Sequence, residues 1–232
     1  MNFIFIQNPA VSDSLSMPID QEKTLSVVEL ISSGGLGGNI IMGTLGVLSF
    51  FAIYILVERY STIKKASKDD DSFLKSIKNF VEQKDIQAAK TLCQNTDNPV
   101  SRMIEKGIDR IDKPMTDISA AIENQGKLEV YKMENNLANL ATIAGAAPMI
   151  GFLGTVIGMI VAFHEMASAG GNIDVEMLSK GIYTAMVTTV GGLIVGIIAY
   201  ISYNFLVSKV DKVIFQLEAR TTEFLDLLHH NE

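Results

Sequence analysis

The sequence has one cysteine, no tryptophan and three histidines in 232 residues. A single thiol, Cys93, excludes an intramolecular disulfide framework and any cysteine-only metal site; in its helical setting it reads as a small packing residue. Basic clusters are missing too. With a formal net charge of −7 and no run of lysine or arginine, the chain is not expected to bind nucleic acid. No Ser/His/Asp set, metal-ligand cluster or phosphate loop stands out, so an enzyme ranks last among the function classes and no cofactor is expected. His229 and His230, adjacent near the end of the chain, are weak grounds for a metal site.

Charge itself is scarce, at 19% of residues, and its distribution is the strongest signal. Three stretches, Leu30 to Val57, Asn135 to Phe163 and Gly181 to Ser208, contain no Asp, Glu, Lys or Arg. About 20 apolar residues suffice to cross a bilayer. A segment in lipid must satisfy its own backbone hydrogen bonds, so each stretch is read as a helix. The fold class is therefore all-α and integral to the membrane, with three transmembrane helices in a lipid bilayer. The division is 1–33, an N-terminal segment with a short amphipathic helix; 34–57, the first membrane helix; 58–134, a helical polar region; 135–163, the second membrane helix; 164–180, a loop; 181–208, the third membrane helix; and 209–232, a C-terminal helix.

Basic residues near helix ends set the orientation. Arg59, Lys64, Lys65 and Lys68 follow the first stretch, Lys127 and Lys132 precede the second, and Lys209, Lys212 and Arg220 follow the third. The opposite flanks offer only Lys23 and Lys180, among Asp13, Asp20, Glu22, Glu29, Glu165, Asp174 and Glu176. This places the N-terminus outside, 58–134 in the cytoplasm, 164–180 outside and the tail inside. The opening apolar patch, Phe3 to Ile6, lacks a preceding basic residue, so no removable signal peptide is expected and the first membrane helix is read as the insertion signal. Thr24 to Ile31 is apolar enough to lie along the membrane surface before a turn through Gly34, Gly35, Gly37 and Gly38.

The cytoplasmic region reads as helices rather than a separate enzyme domain. Phe73, Ile77, Phe80, Val81, Ala88 and Leu92 recur at helical spacing, as do Val100, Met103, Ile104, Ile108 and Ile111, with punctuation at Asn98-Pro99 and Lys113-Pro114. From Met115 the line Ile118, Ile122, Gln125, Leu128 meets no breaker, which predicts one long helix running into the second membrane stretch. The tail continues the third helix in register through Val210, Val213, Ile214, Leu217, Thr221, Phe224, Leu225 and Leu228. Each helix carries one apolar stripe, which suits a bundle.

The second and third membrane stretches are rich in small residues. Gly151, Gly154, Thr155, Gly158 and Ala162 share one face; Ala185, Thr188, Thr189, Gly192 and Gly196 share another. Lipid gives helices no hydrophobic reason to associate, so close backbone approach through small residues supplies the contact. Plain packing accounts for most of these glycines whatever the function. Pro148 removes one backbone bond and is expected to bend its helix. Thr155, Thr184, Thr188 and Thr189 are the polar groups at membrane depth. Each can bond back to its own helix, yet several on two adjacent faces also suit a polar seam or hydrated pore. No helix interior contains Asp, Glu, Lys, Arg or His. Proton movement usually needs a titratable group at depth, so a conducting role requires a carboxylate from another subunit.

The run AGAAPMIGFLGTVIGMIVAF, Ala144 to Phe163, resembles the MotA/TolQ/ExbB proton-channel family, and its ExbB branch most closely. The likeness continues over Gly181 to Asn204, where GI-x-x-A opens the helix and Tyr203-Asn204 closes it; it covers roughly residues 115–225. Three membrane helices rather than four favour the ExbB/TolQ branch over MotA. The resemblance implies a homo-oligomeric ring, usually a pentamer, in a bacterial inner membrane, with a periplasmic N-terminus and a cytoplasmic C-terminus. Its second and third helices would line a pore around an ExbD-like single-span partner that brings an aspartate. A TonB-like protein would receive the work, in TonB-type import or in a Tol, gliding or secretion motor. Thr155 and Thr189 match the family's pore-lining threonines. Where relatives commonly read GIAEA this chain reads GIYTA, putting Thr184 in the glutamate's place, and Ile198 stands where many place a proline. A passive membrane scaffold is the reading from another class.

Overall fold

A computed structural model describes residues 35–67, 71–168 and 175–229, and the described residues form seven helices. The surface helix expected within 1–33 lies outside them, as do the tip of the 164–180 loop and residues 230–232. The helices are α1 (Gly35–Ala66), α2 (Asp71–Glu82), α3 (Ile86–Asn95), α4 (Pro99–Ile108), α5 (Met115–Glu134), α6 (Leu137–Ser168) and α7 (Val175–His229).

The third uncharged stretch lies wholly within α7, the second enters α6 at Leu137, and the described part of the first, from Gly35, lies in α1. α1, α6 and α7 are long and apolar enough to cross a membrane. Their outer faces carry Phe50, Phe51, Phe152, Leu153, Ile194, Ile197 and Ile201, all exposed on this chain, as lipid-facing residues should be. α6 and α7 form an antiparallel hairpin with the most extensive pairing in the molecule, and α1 packs against both. Ile41 and Leu45 of α1 are buried there with Ala147 of α6.

Beyond the membrane helices, α2, α4 and α5 pack against α7, and α3 packs against α2 and α4. Phe73, Ile77 and Val81 of α2 are buried, as the spacing predicts, together with Leu74, while Phe80 is only partly covered. On α3 the buried pair is Ala89 and Cys93, not Ala88, which is only partly covered. Local chemistry sets the boundaries. Lys84 takes the left-handed conformation (φ 56°) that ends α2, and the Asp85 carboxylate caps α3 by accepting from the Ala88 amide at 3.0 Å. Asn98 and Ser101 form a reciprocal capping box at the start of α4, with Pro99 in its first turn, where a missing N–H costs nothing. Ile104, Ile122, Val210, Val213 and Phe224 close the core. Phe224 fits because Gly107 has no Cβ; one there would lie 3.0 Å from the Phe224 ring and 2.7 Å from Ile122 Cδ1.

Two sequence expectations need correction. The helix from Met115 does not run unbroken into the second membrane stretch: α5 ends at Glu134, and Asn136 has φ 65° before α6 begins at Leu137. Asparagine enters the left-handed region more readily than most residues, so the breaker is an ordinary-looking Asn pair rather than a proline or glycine. Second, the buried line of α5 is Ile118, Ile122, Gly126, Glu129 and Met133, while Leu128 is 55% exposed. The close approach of α4 explains this line: a Cβ on Gly126 would lie 2.9 Å from Met103 Cε.

Candidate functional site

The small-residue faces meet each other inside one chain. A Cβ added to Gly151 would lie 2.7 Å from the Thr188 carbonyl oxygen and 3.0 Å from Gly192 Cα; one on Gly158 would lie 2.8 Å from Ala185 Cβ. On α7, a Cβ on Gly192 would lie 2.5 Å from the Ala147 carbonyl oxygen, and one on Gly196 would lie 2.6 Å from Pro148 Cγ and 3.1 Å from the Ala144 carbonyl oxygen. Gly154 faces the Thr188 side chain in the same way. Both small-residue faces thus serve the α6–α7 hairpin. α6 continues as a helix through Pro148. The ring leaves the Ala144 carbonyl without its usual helical donor, and Gly196 lets the α7 backbone close over that place.

Three of the four predicted threonines come together in this seam. Thr188 Oγ1 donates to the Ala185 carbonyl at 2.7 Å, with the Gly151 carbonyl at 3.2 Å. Thr189 Oγ1 donates to the Gly151 carbonyl at 3.2 Å. Thr155 Oγ1 reaches the Ala185 carbonyl across the interface at 3.0 Å, and its hydroxyl meets that of Thr189 in a short contact. Thr184 is apart from them, one turn earlier on α7, with its methyl group 3.6 Å from where a Cβ on Gly38 of α1 would lie. Burial separates the three further: Thr188 is 2% exposed, whereas Thr155 and Thr189 are only partly covered.

This arrangement has a definite chemical capacity. A hydroxyl has one proton and two lone pairs. The Thr155 proton has two acceptors within reach, the Ala185 carbonyl and the Thr189 oxygen, so it can switch between them. Each oxygen keeps acceptor capacity for one more donor, such as a water or the O–H of a carboxylic acid. Nothing in the seam titrates, so it can solvate a proton carrier but not be one.

Outside the membrane stretches, sequence reasoning missed a buried ionic cluster. Glu129, 2% exposed on α5, accepts from Arg102 Nε at 3.0 Å and Nη2 at 2.7 Å, from Lys132 Nζ at 2.9 Å and from Gln125 Nε2 at 2.8 Å. Burial pushes the Glu129 carboxyl up, but the hydrogen bonds from Arg102 and Lys132 outweigh it and hold the group below the usual carboxylate range. Arg59, at 7% exposure, donates from Nη1 to the Lys132 carbonyl at 2.9 Å and pairs with Glu58. The signal was present in the sequence: Glu129 lies seven residues after Ile122 and four before Met133, on the apolar stripe rather than the charged face.

The described residues thus give a helical protein with three membrane-length helices, two of them joined by a seam of glycines and threonine hydroxyls. Residues 95–219 match the model of the MotA/TolQ/ExbB proton channel family, and the chain belongs to that family. Similar proteins include a putative biopolymer transport protein ExbB homolog from Methanothermobacter thermautotrophicus, 27% identical over 83% of this chain and 67% of its own length. The biopolymer transport protein ExbB of Aquifex aeolicus is 34% identical over 47% of this chain and 74% of its length. The Tol-Pal system protein TolQ of Pseudomonas aeruginosa is 24% identical over 88% of this chain and 93% of its length. The chain is thus a multi-pass inner-membrane protein and a proton-channel family member of the kind that energises motors.

Proposed function

We propose that this chain is the channel-and-scaffold subunit of an ExbB-ExbD-type motor, not an enzyme, which uses the proton motive force to energise a TonB-like transducer for outer-membrane transport. Five copies form a ring, with the N-terminus periplasmic and the C-terminus cytoplasmic. An ExbD-like single-span protein supplies the membrane aspartate. The observation that carries this reading is the Thr155–Thr189 pair: two partly covered hydroxyls at membrane depth with acceptor capacity to spare, in a chain whose three membrane stretches contain no Asp, Glu, Lys, Arg or His. A carboxyl group brought against them would be solvated in both protonation states. Each proton crossing delivers roughly 2.3 kcal/mol per 100 mV of membrane potential, so a few suffice for mechanical work. Thr184 leaves the partner's aspartate as the membrane proton carrier.

The test is proton flux in vesicles containing the chain and its partner. Thr155→Val and Thr189→Val, close in shape but lacking the hydroxyl, should leave assembly intact and cut partner-dependent flux, while Thr155→Ser should retain most of it. Wild-type flux in the double valine variant, or full flux from the chain without a partner, overturns the proposal. A TolQ-like role in the Tol-Pal system is the second reading, favoured by the match to TolQ over nearly the full length of both chains. A passive scaffold is the third, favoured by the fact that the seam threonines all find hydrogen-bond acceptors within the chain; no flux with any partner would establish it.

A further inference from the structure

The crevice between α1 and α7 changes chemistry where the charge-free stretches end. The two helices run in the same direction and keep one register: Gly38 of α1 faces Thr184 of α7 near one end, and Tyr60 faces Phe205 near the other. This second contact straddles the membrane boundary, since the first stretch stops at Val57 and the third at Ser208. The Tyr60 and Phe205 rings stack with centroids 6.1 Å apart and 28° between their planes, yet stay 42% and 44% exposed respectively as residues. Lys209 Nζ lies 5.5 Å from the Phe205 centroid, within the range of a cation–π contact. Lys64 follows Tyr60 by four residues, as Lys209 follows Phe205, so the shared register sets the two lysines opposite each other, one turn beyond the rings. Both are exposed.

This pair of cations lacks a counter-charge. Among the described residues no carboxylate pairs with Lys64 or Lys209. Glu58, the nearest acid along α1, is taken by Arg59, and Asp211 stands about 200° round α7 from Lys209. Two like charges brought together without an acid call for an anion, and the layout selects its kind. Aromatic rings lie on the membrane side and ammonium groups on the water side, the order in which a phospholipid presents its ester region and its phosphate. A phosphodiester has two charged oxygens, one for each lysine, and each ammonium has three protons to donate. A soluble phosphate would satisfy the lysines but leave both rings bare.

We propose that Tyr60, Lys64, Phe205 and Lys209 form a binding site for one anionic glycerophospholipid per chain, with its phosphate between the two lysines and its ester region against the two rings. The bound lipid ties α1 to α7 at the bilayer surface. This goes beyond the proposed motor role and does not depend on it. A lysine beside an anionic headgroup is worth about fivefold in affinity, and an exposed cation–π contact about two- to fivefold.

The experiment titrates the full chain, in the oligomer it forms and in a neutral detergent, with phosphatidylglycerol, and counts retained lipid by native mass spectrometry. A neutral micelle has no charged surface to attract the chain at large. Phosphatidylglycerol is expected to bind once per chain, at least about fivefold more tightly than phosphatidylcholine, and to resist displacement by millimolar inorganic phosphate. Lys64→Gln and Lys209→Gln should each weaken it about fivefold. Lys65→Gln removes the same charge about 100° further round α1 and should weaken it less than about twofold. Phe205→Leu keeps every charge and should weaken it about two- to fivefold. The site is overturned if no phosphatidylglycerol is retained, if the two lipids bind alike, or if Lys65→Gln costs as much as Lys209→Gln. Displacement by inorganic phosphate makes it a soluble-anion site and overturns the lipid. Unchanged binding in Phe205→Leu overturns the role of the rings. Should Phe205→Leu lose helix content, Lys209→Gln against Lys65→Gln decides the site alone.

Discussion

Gly192→Ala tests whether the α6–α7 seam is as tight as it looks. The added methyl carbon would lie 2.5 Å from the Ala147 carbonyl oxygen and 2.9 Å from Gly151 Cα. Non-bonded carbons settle at about 3.5–4.0 Å, and both obstacles are backbone, which cannot swing aside. The helices must part by roughly 0.5–1 Å, and a gap of that size forfeits about a quarter to a half of each dispersion contact along the seam. The bonds from Thr188 and Thr189 to the Gly151 carbonyl, both 3.2 Å, stretch out of range; hydrogen bonds between membrane helices are worth about 0.6 kcal/mol each. With an overpacking cost of about 1–3 kcal/mol, the variant should lose about 2–3 kcal/mol, or roughly 30- to 150-fold in the folded-to-unfolded ratio at about 1.4 kcal/mol per factor of ten. Denaturation of the chain in mixed micelles, titrated with SDS and followed by circular dichroism, measures this. The control is Gly46→Ala on α1, where a Cβ would meet nothing within 4 Å and no loss is expected. If the two variants are equally stable, the seam is not close-packed and the argument fails.

The remaining predictions concern the bundle. The Glu129 carboxyl titrates lower in the folded chain than in the unfolded one, so its stabilising effect is present above the unfolded carboxylate pKa of about 4.3 and is lost as pH falls through the folded value; acid titration of helix packing should show loosening below about pH 4.5 that Glu129→Gln makes shallower. Arg102→Ala leaves Glu129 with Lys132 and Gln125 alone. Because the Arg102 side chain is 35% exposed, the expected loss is about 1–2 kcal/mol, less than for a fully buried pair, checked by chemical denaturation at pH 7. Cys93 is buried, and burial pushes its thiol up to about 12, so maleimide labelling at pH 8 should run on the order of a thousandfold slower than for an open thiol and recover on denaturation. Asn98→Ala removes the cap of α4 and should cost about 1 kcal/mol in the thermal stability of the bundle.

Much of the membrane half was legible because lipid simplifies the problem: an uncharged stretch there must be a helix, and small residues on two faces must meet something. The residues Gly151, Gly158, Gly192 and Thr189 meet in the seam, and one-dimensional spacing could not say that the two faces would meet within one chain. Nor could it separate Thr188, enclosed, from Thr155 and Thr189, partly open. The α5–α6 junction was illegible for a different reason. Asn135-Asn136 has helical neighbours on both sides, and the Lys132 carbonyl that the break frees is taken by a guanidinium from Arg59, 73 positions earlier in the chain. The stripe on α5 went astray because Leu128 looks like core and Glu129 does not; only Arg102, brought from α4, makes the acid tolerable inside.

At about 1.5 Å per residue, the 55 residues of α7 make a rod about 80 Å long. Turned through about 5° about its membrane end, such a rod carries Phe224 and the surrounding side chains sideways by several ångströms. A small reorientation beside Thr189 would therefore be felt as a much larger displacement at the far tip, with no gearing needed beyond the stiffness of the helix.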